Sequence, residues 1–148
     1  MNVEFDKKCP VNEGYRNLLT QSIKQIEKRI GKTYPDVKWV IYEPGNSSFS
    51  QPTDNLMMMA HQIFPNKIFD VPTNNSYGFC LIGSKIINIS TNSITETATI
   101  TADNTCELSR LTEVIIHELA HIESKESDHD SPAFLAIFQQ YKDLCVGL

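Results

Sequence analysis

The chain has 148 residues, of which 41% are hydrophobic and 21% charged, and its formal net charge at neutral pH is −5. This length suits a single core, so we expect residues 1–148 to form one domain. The acidic balance argues against direct nucleic-acid binding, and no apolar run is long enough to span a membrane. Residues 1–8 contain no hydrophobic signal core, so we expect a cytoplasmic protein, which we take to be a monomer.

The first half of the chain predicts a helix, a strand and a long loop. Apolar residues recur at helical spacing from Tyr15 to Ile30, and Gly31 is a natural C-terminal cap. Residues 37–42 are rich in β-branched and aromatic side chains, which is typical of a strand. The segment 43–76 carries several proline, asparagine and serine residues. We favour an ordinary loop insertion whose methionines pack on the core, and the alternative is a lid or a pocket wall with the methionines as adaptable apolar contacts.

Further strands are predicted in the middle of the chain. Residues 77–82 and 85–90 have strand composition, and Gly83-Ser84 suits a two-residue hairpin turn between them. Residues 95–101 alternate threonine with other residues and predict a polar edge strand. Because two helices follow these strands, the order predicts an α+β domain with a small, mostly antiparallel sheet.

The second half of the chain contains an H-E-x-x-H motif, His117-Glu118-Leu119-Ala120-His121, within an apolar helical pattern. Asn104 followed by Glu107 predicts the start of this helix with a capping partner. A stripe of apolar residues lies nearly opposite the two histidines, and its members are Leu108, Leu111, Ile115, Leu119 and Ile122. We therefore expect the core to hold one side of the helix while both histidines face a cleft.

The spacing of the motif has a direct chemical interpretation. His117 and His121 lie about 40° apart around a helix axis and roughly 6 Å apart along it, so both imidazoles can bind one metal ion. Glu118 is offset by about 100° from His117, so it can reach a metal-bound water but is poorly placed as a ligand. Two metal ligands and a base on one rigid helix are the groups that a zinc hydrolase uses.

A zinc site needs a further ligand, and His129 is the candidate downstream of the motif. Seven residues separate it from His121, which is enough for the chain to turn back beside the metal. Ser131 is a good N-cap and Pro132 a good first helical residue, so a final helix should begin at Pro132. The motif helix should accordingly end near Glu123.

The segment from Glu113 to Phe138 resembles the small zinc metallopeptidases of the SprT-like and minigluzincin families. The resemblance consists of His117-Glu118-Leu119-Ala120-His121, a short spacer, His129-Asp130, and Phe134 at the opening of a helix. It implies a minigluzincin-like fold and zinc-dependent hydrolysis of a protein or peptide substrate. It further implies that His117, His121 and His129 are the zinc ligands and that Glu118 is the catalytic base.

One departure from the family pattern leaves the third ligand open. In these families the aromatic residue usually follows the third histidine by four positions, whereas Phe134 follows His129 by five. Counting back four positions from Phe134 gives Asp130, which competes with His129. We favour His129 because a neutral imidazole suits zinc, with Asp130 orienting an imidazole or capping the last helix. Three other carboxylates rank lower because of their positions: Glu123, Glu126 and Asp128.

The predicted function is that of a zinc metallopeptidase acting through a zinc-activated water with Glu118 as general base. Two alternatives stay open: a non-catalytic zinc-binding module, and a deformylase-like zinc hydrolase that would use Cys80 as a ligand. Otherwise the four cysteines predict reduced, mostly buried thiols, since no C-x-x-C pair joins Cys9, Cys80, Cys106 and Cys145. The strand from Lys85 to Ser90 is the predicted edge along which a peptide substrate would pair.

Overall fold

The computed structural model describes residues 1–48, 62–63, 77–100 and 107–148, and in these ranges a small sheet combines with helices. The α+β class predicted from the sequence is confirmed. The predictions for Asn104, Cys106 and most of the 43–76 loop lie outside the described residues. In chain order the elements are β1 (Asn2–Phe5), α1 (Glu13–Ile30), β2 (Lys38–Tyr42), β3 (Gly78–Leu81), β4 (Ile86–Ser90), α2 (Thr91–Ile100), α3 (Arg110–Ser124) and α4 (Pro132–Leu144).

The sheet is mixed, so the prediction of a mostly antiparallel sheet is wrong. Its strand order is β1-β2-β4-β3. The pairs β1–β2 and β2–β4 are parallel, and only β3–β4 is antiparallel among the described strands. The physical reason is the helical connection, since α1 carries the chain from the end of β1 back to the start of a parallel neighbour. The strand β1 was not predicted, because its alternation of polar and apolar residues covers only four positions, the minimum for a strand signal.

The strand β4 lies inside the sheet, which overturns its predicted role as a substrate edge. It pairs with β2 on one side and with β3 on the other. Ile87 and Ile89 are fully buried, so this strand belongs to the core. The predicted hairpin between β3 and β4 is confirmed, although its turn spans residues 82–85 and Lys85 takes the left-handed conformation with φ 52°. Within the described sheet, β3 is the edge strand that contacts α3.

Capping residues set the ends of three helices. Gly31 ends α1 with φ 70°, and Ser131 begins α4 by accepting a hydrogen bond from the Phe134 N–H, both as predicted. The start of α3 was predicted wrongly, because the N-cap is Ser109, whose hydroxyl accepts from the Thr112 N–H at 3.1 Å. The helix ends at Ser124, one residue beyond the predicted end.

The threonine-rich segment predicted as a polar edge strand is helical, since α2 covers Thr91–Ile100. The hydroxyls of two of its threonines, Thr97 and Thr99, donate to carbonyls of the preceding turn. Thr97 Oγ1 donates to Ser93 O at 2.9 Å, and Thr99 Oγ1 donates to Glu96 O at 2.8 Å. These bonds satisfy the hydroxyls inside a helix, so the strand preference of threonine did not decide the structure here.

The helix that carries the motif is the centre of the packing. α3 contacts α1, α2, α4, β3 and β4, and its apolar side, including Leu111, Ile115 and Leu119, is fully buried. The described cysteines, Cys9, Cys80 and Cys145, are buried and form no disulfide, as expected. No helix among residues 1–48, 62–63, 77–100 and 107–148 is both long and apolar enough to cross a membrane.

Candidate metal centre

Two histidines of the motif face each other on α3. His117 is half-buried and His121 is fully buried. Their Nε2 atoms are 3.2 Å apart. Two nitrogen ligands of one tetrahedral zinc ion, each about 2.0–2.1 Å from the metal, are about 3.3 Å apart. The spacing of these two donor atoms therefore already suits a single metal ion.

The turn after α3 fixes the ring of His121. Lys125 takes the left-handed conformation with φ 59°, and its N–H donates to the His121 carbonyl at 2.9 Å. This turn brings the Glu126 carbonyl oxygen within 2.7 Å of His121 Nδ1. Because a carbonyl oxygen only accepts hydrogen bonds, Nδ1 must carry the proton, which leaves the lone pair on Nε2 for a metal.

His129 reaches the same place from the loop between α3 and α4. Two bonds shape this loop: the Asp130 N–H donates to Asp128 Oδ1 at 2.9 Å, and the Ser131 N–H donates to Asp128 O at 3.2 Å. The ring centre of His129 is 4.8 Å from that of His121 and 5.1 Å from that of His117. One potential donor atom from each of the three histidines lies within 4.8 Å of the other two. Since His129 is exposed, its ring has room to close the remaining distance of at most about 1.5 Å.

The three histidines are the group of potential metal ligands that the described residues bring together. Asp130, the competing third ligand, does not belong to this group, and its backbone shapes the turn instead. Cys80, the ligand of the deformylase-like alternative, packs in the hydrophobic core and is not part of the group either.

Two aromatic residues of α4, Phe134 and Phe138, pack against the imidazoles of His121 and His117. The Phe134 ring is 1% exposed and stacks on the His121 ring, with centroids 4.1 Å apart and an interplanar angle of 15°. Phe138 meets the His117 ring edge-on at 5.0 Å. These contacts limit the orientations available to both rings. The sequence pattern showed Phe134 at helical spacing, but its stacking on the His121 imidazole is visible only in three dimensions.

The electrostatic surroundings keep His117 neutral. Burial lowers the pKa of His117 to about 4, and the neighbouring His121, His129 and Lys142 act in the same direction. The imidazole is therefore uncharged at neutral pH and its lone pair is available, which is the state that a metal ligand requires.

The Glu118 carboxyl group lies beside this centre without joining the ligand group. The residue is 3% exposed, and its Oε1 is 4.0 Å from His117 Nε2. Burial, together with the negative charge of Glu118, raises the pKa of Tyr42 on the neighbouring strand β2. At 4.0 Å from His117 Nε2, the Glu118 carboxylate is close enough to exchange a proton with a group held between the histidines. Nothing in the sequence pattern indicated that Tyr42 would be near it.

A cleft of about 180 Å³ opens next to His117 and Glu118, between α3 and the edge strand β3. Gly78 allows the close approach of these two elements, since a Cβ there would lie 2.7 Å from Val114 Cγ1 and 2.9 Å from the Asn88 carbonyl oxygen. The remaining lining residues are Tyr77, Arg110 and Glu113.

Comparison with known proteins gives no family assignment. No family model matches the chain, and no curated protein matches it. Among solved structures, the solution structure of TM1509 from Thermotoga maritima is similar with 13% identity and a TM-score of 0.42, over 98% of this chain and 89% of that one. A likeness of this size supports no argument about function.

Proposed function

We propose that this chain is a zinc-dependent metallopeptidase in which three histidines hold the metal and Glu118 is the general base. The observation that carries the proposal is the meeting of the donor atoms of His117, His121 and His129 within 4.8 Å of one another, beside a buried carboxylate. A pair of histidines with a purely structural role would need neither the third imidazole nor Glu118. The resemblance to SprT-like and minigluzincin peptidases supports the same interpretation.

The donor set suits Zn²⁺, because neutral imidazole nitrogens are among its preferred ligands. Bound there, Zn²⁺ would supply Lewis-acid chemistry that acidifies water and polarises a carbonyl group. The chain contributes the orientation of the ligands, since the Glu126 carbonyl sets the tautomer of His121 and Phe134 restrains its ring.

Glu118 has the position and surroundings of a proton carrier. Its carboxylate would take a proton from the attacking water and return it to the leaving amine of the cleaved peptide. Its burial limits the contact of the carboxylate with bulk water, and its distance of 4.0 Å from the His117 Nε2 atom keeps it close to the reacting group.

The substrate would lie in the cleft between β3 and α3. The edge strand β3, which runs Gly78–Leu81, offers main-chain hydrogen-bonding groups beside Glu118, and an extended peptide can add to such an edge as a further strand. This position replaces the interior strand β4, whose main chain is paired on both sides. The monomeric state, the cytoplasmic location and the absence of direct nucleic-acid binding stay predictions.

The alternatives receive less support from the described residues. A deformylase-like site would need Cys80 as a ligand, but this thiol packs in the core. A structural zinc module would need a fourth protein ligand, and the group of potential ligands in the described ranges contains three residues.

The test is digestion of a peptide library, with products identified by mass spectrometry, using zinc-loaded wild-type protein and zinc-loaded Glu118→Gln. We expect cleavage by the wild type that a chelator abolishes and zinc restores, and a loss of several orders of magnitude in Glu118→Gln at unchanged zinc content. Full activity of Glu118→Gln would refute the role of Glu118. The absence of any zinc-dependent cleavage by the wild type would refute the peptidase proposal.

A further inference from the structure

The cleft beside the metal centre carries a carboxylate without a partner in the described part of the chain. Glu113 is exposed and lines the cleft one helical turn before His117. Within residues 1–48, 62–63, 77–100 and 107–148, no ion pair is formed by its side chain. Its negative charge is therefore available to a group that enters the cleft.

Arg110, the positively charged residue that lines the cleft, already forms an ion pair. Arg110 Nε lies 3.6 Å from Glu96 Oε2, and the guanidinium lies over the Tyr77 ring at 4.5 Å from its centroid. The Tyr77 hydroxyl donates to the other carboxylate oxygen of Glu96 at 3.0 Å. These three residues form a closed network in which the charge of Arg110 is balanced, so the net charge that the cleft offers at this end is that of Glu113.

Glu113 lies at a distance from the candidate metal centre at which it could contact a substrate side chain next to the cleaved bond. Residues four apart on a helix are about 6 Å apart along the axis and about 40° apart around it, so Glu113 lies on the same side of α3 as His117. An extended lysine or arginine side chain can cover this distance from a substrate backbone held at the metal centre.

We propose that Glu113 is a specificity-determining residue that selects peptides with a lysine or arginine next to the scissile bond. This inference rests on the proposed peptidase function and names its substrate class. The basic side chain would occupy the cleft between Gly78 and α3 and pair with the Glu113 carboxylate. The Arg110–Glu96–Tyr77 network would remain intact beside it.

The test compares matched peptides that carry lysine, methionine or glutamate at one position, placed in turn on each side of the scissile bond. Methionine is the uncharged control, since its unbranched side chain resembles that of lysine without the charge. For zinc-loaded wild-type protein we expect kcat/KM to be about twofold to fivefold higher for lysine than for methionine, and lowest for glutamate. The preference should shrink as salt is added, because the cleft is open to solvent.

Three variants assign this preference to one residue. Glu113→Gln should remove the difference between lysine and methionine, and Glu113→Lys should reverse the order so that glutamate is preferred. Glu107→Gln is the matched control, because Glu107 is also exposed but does not line the cleft, and it should retain the wild-type preference. Equal rates for the three peptides in the wild type, or faster cleavage of the glutamate peptide, would overturn the inference.

A binding measurement separates this inference from the function on which it rests. Fluorescence anisotropy of the same labelled peptides on zinc-loaded Glu118→Gln protein reports selection without turnover. Tighter binding of the lysine peptide, lost in the Glu113→Gln/Glu118→Gln double variant, supports the role of Glu113. Equal affinities overturn it even where the wild type cleaves all three peptides, and in that outcome the peptidase proposal stands.

Discussion

Replacing His129 by alanine tests the one proposed metal ligand that lies outside the H-E-x-x-H motif. His129 is exposed, so its truncation should change the free energy of unfolding of the metal-free protein by no more than about 0.5 kcal/mol. Its effect on zinc should be large. Mutating residues that only orient a ligand costs about 10–100-fold in metal affinity, so loss of one of three ligands should cost at least about 100-fold.

Asp130→Ala is the matched control for this variant. The Asp130 backbone N–H, which donates to Asp128 Oδ1, is unaffected by the substitution, so the turn should keep its shape. The assay is competitive zinc titration of the metal-free proteins against a chromogenic chelator. We expect Asp130→Ala to bind zinc within about tenfold of the wild type. A larger loss in Asp130→Ala than in His129→Ala would transfer the third ligand to the carboxylate and refute the proposed ligand set.

Two further predictions concern stability. The pKa of His117 is about 4 in the folded protein and the ordinary value is 6.5, so the unfolded chain takes up this proton first as the pH falls. The free energy of unfolding of the metal-free protein should therefore fall between pH 6.5 and 4, and less so in His117→Gln; equal pH dependence in denaturant titrations would contradict this. Gly78→Ala should lower the stability by about 1–3 kcal/mol, because the new Cβ would lie 2.9 Å from the Asn88 carbonyl oxygen. An unchanged denaturation midpoint would show that β3 can shift relative to α3 and β4 at no cost.

Local signals explain which parts of the fold could be predicted from the sequence. Gly31, Ser131 and Pro132 act within one helical turn, and the structure confirms the helix ends that they predict. The spacing of His117 and His121 follows from helix geometry alone. Each of these features depends on residues close together in the chain, so pattern and structure agree.

The errors on β1 and β4 arose where distant residues decide the structure, whereas the error on α2 concerns local hydrogen bonds. The strand β1 runs parallel to β2 because α1 connects them, and the polar/apolar alternation of β1 covers only four residues, which is a weak strand signal. The threonines of α2 have the composition of a strand, but the hydroxyls of Thr97 and Thr99 donate to carbonyls of the preceding turn and are satisfied within a helix. The interior position of β4 depends on β1 and β2, which the sequence pattern could not order.

The candidate site shows the same division. The motif residues and His129 were identified from the sequence, whereas the groups that orient them were not. The hydrogen-bond partner of His121 Nδ1 is the backbone carbonyl of Glu126. Every residue has such a carbonyl, so no sequence pattern indicates this contact. The cleft and its free carboxylate at Glu113 arise from the contact of α3 with β3, which are far apart in the chain.

The central claim is that His117, His121 and His129 form an open zinc centre, and zinc K-edge X-ray absorption of the protein loaded with one equivalent of Zn²⁺ tests it most directly. The account predicts nitrogen and oxygen neighbours only, at about 2.0–2.1 Å, with multiple scattering from three imidazoles that drops to two in His129→Ala. A sulfur neighbour at about 2.3 Å, or the same three imidazoles in His129→Ala, would contradict it.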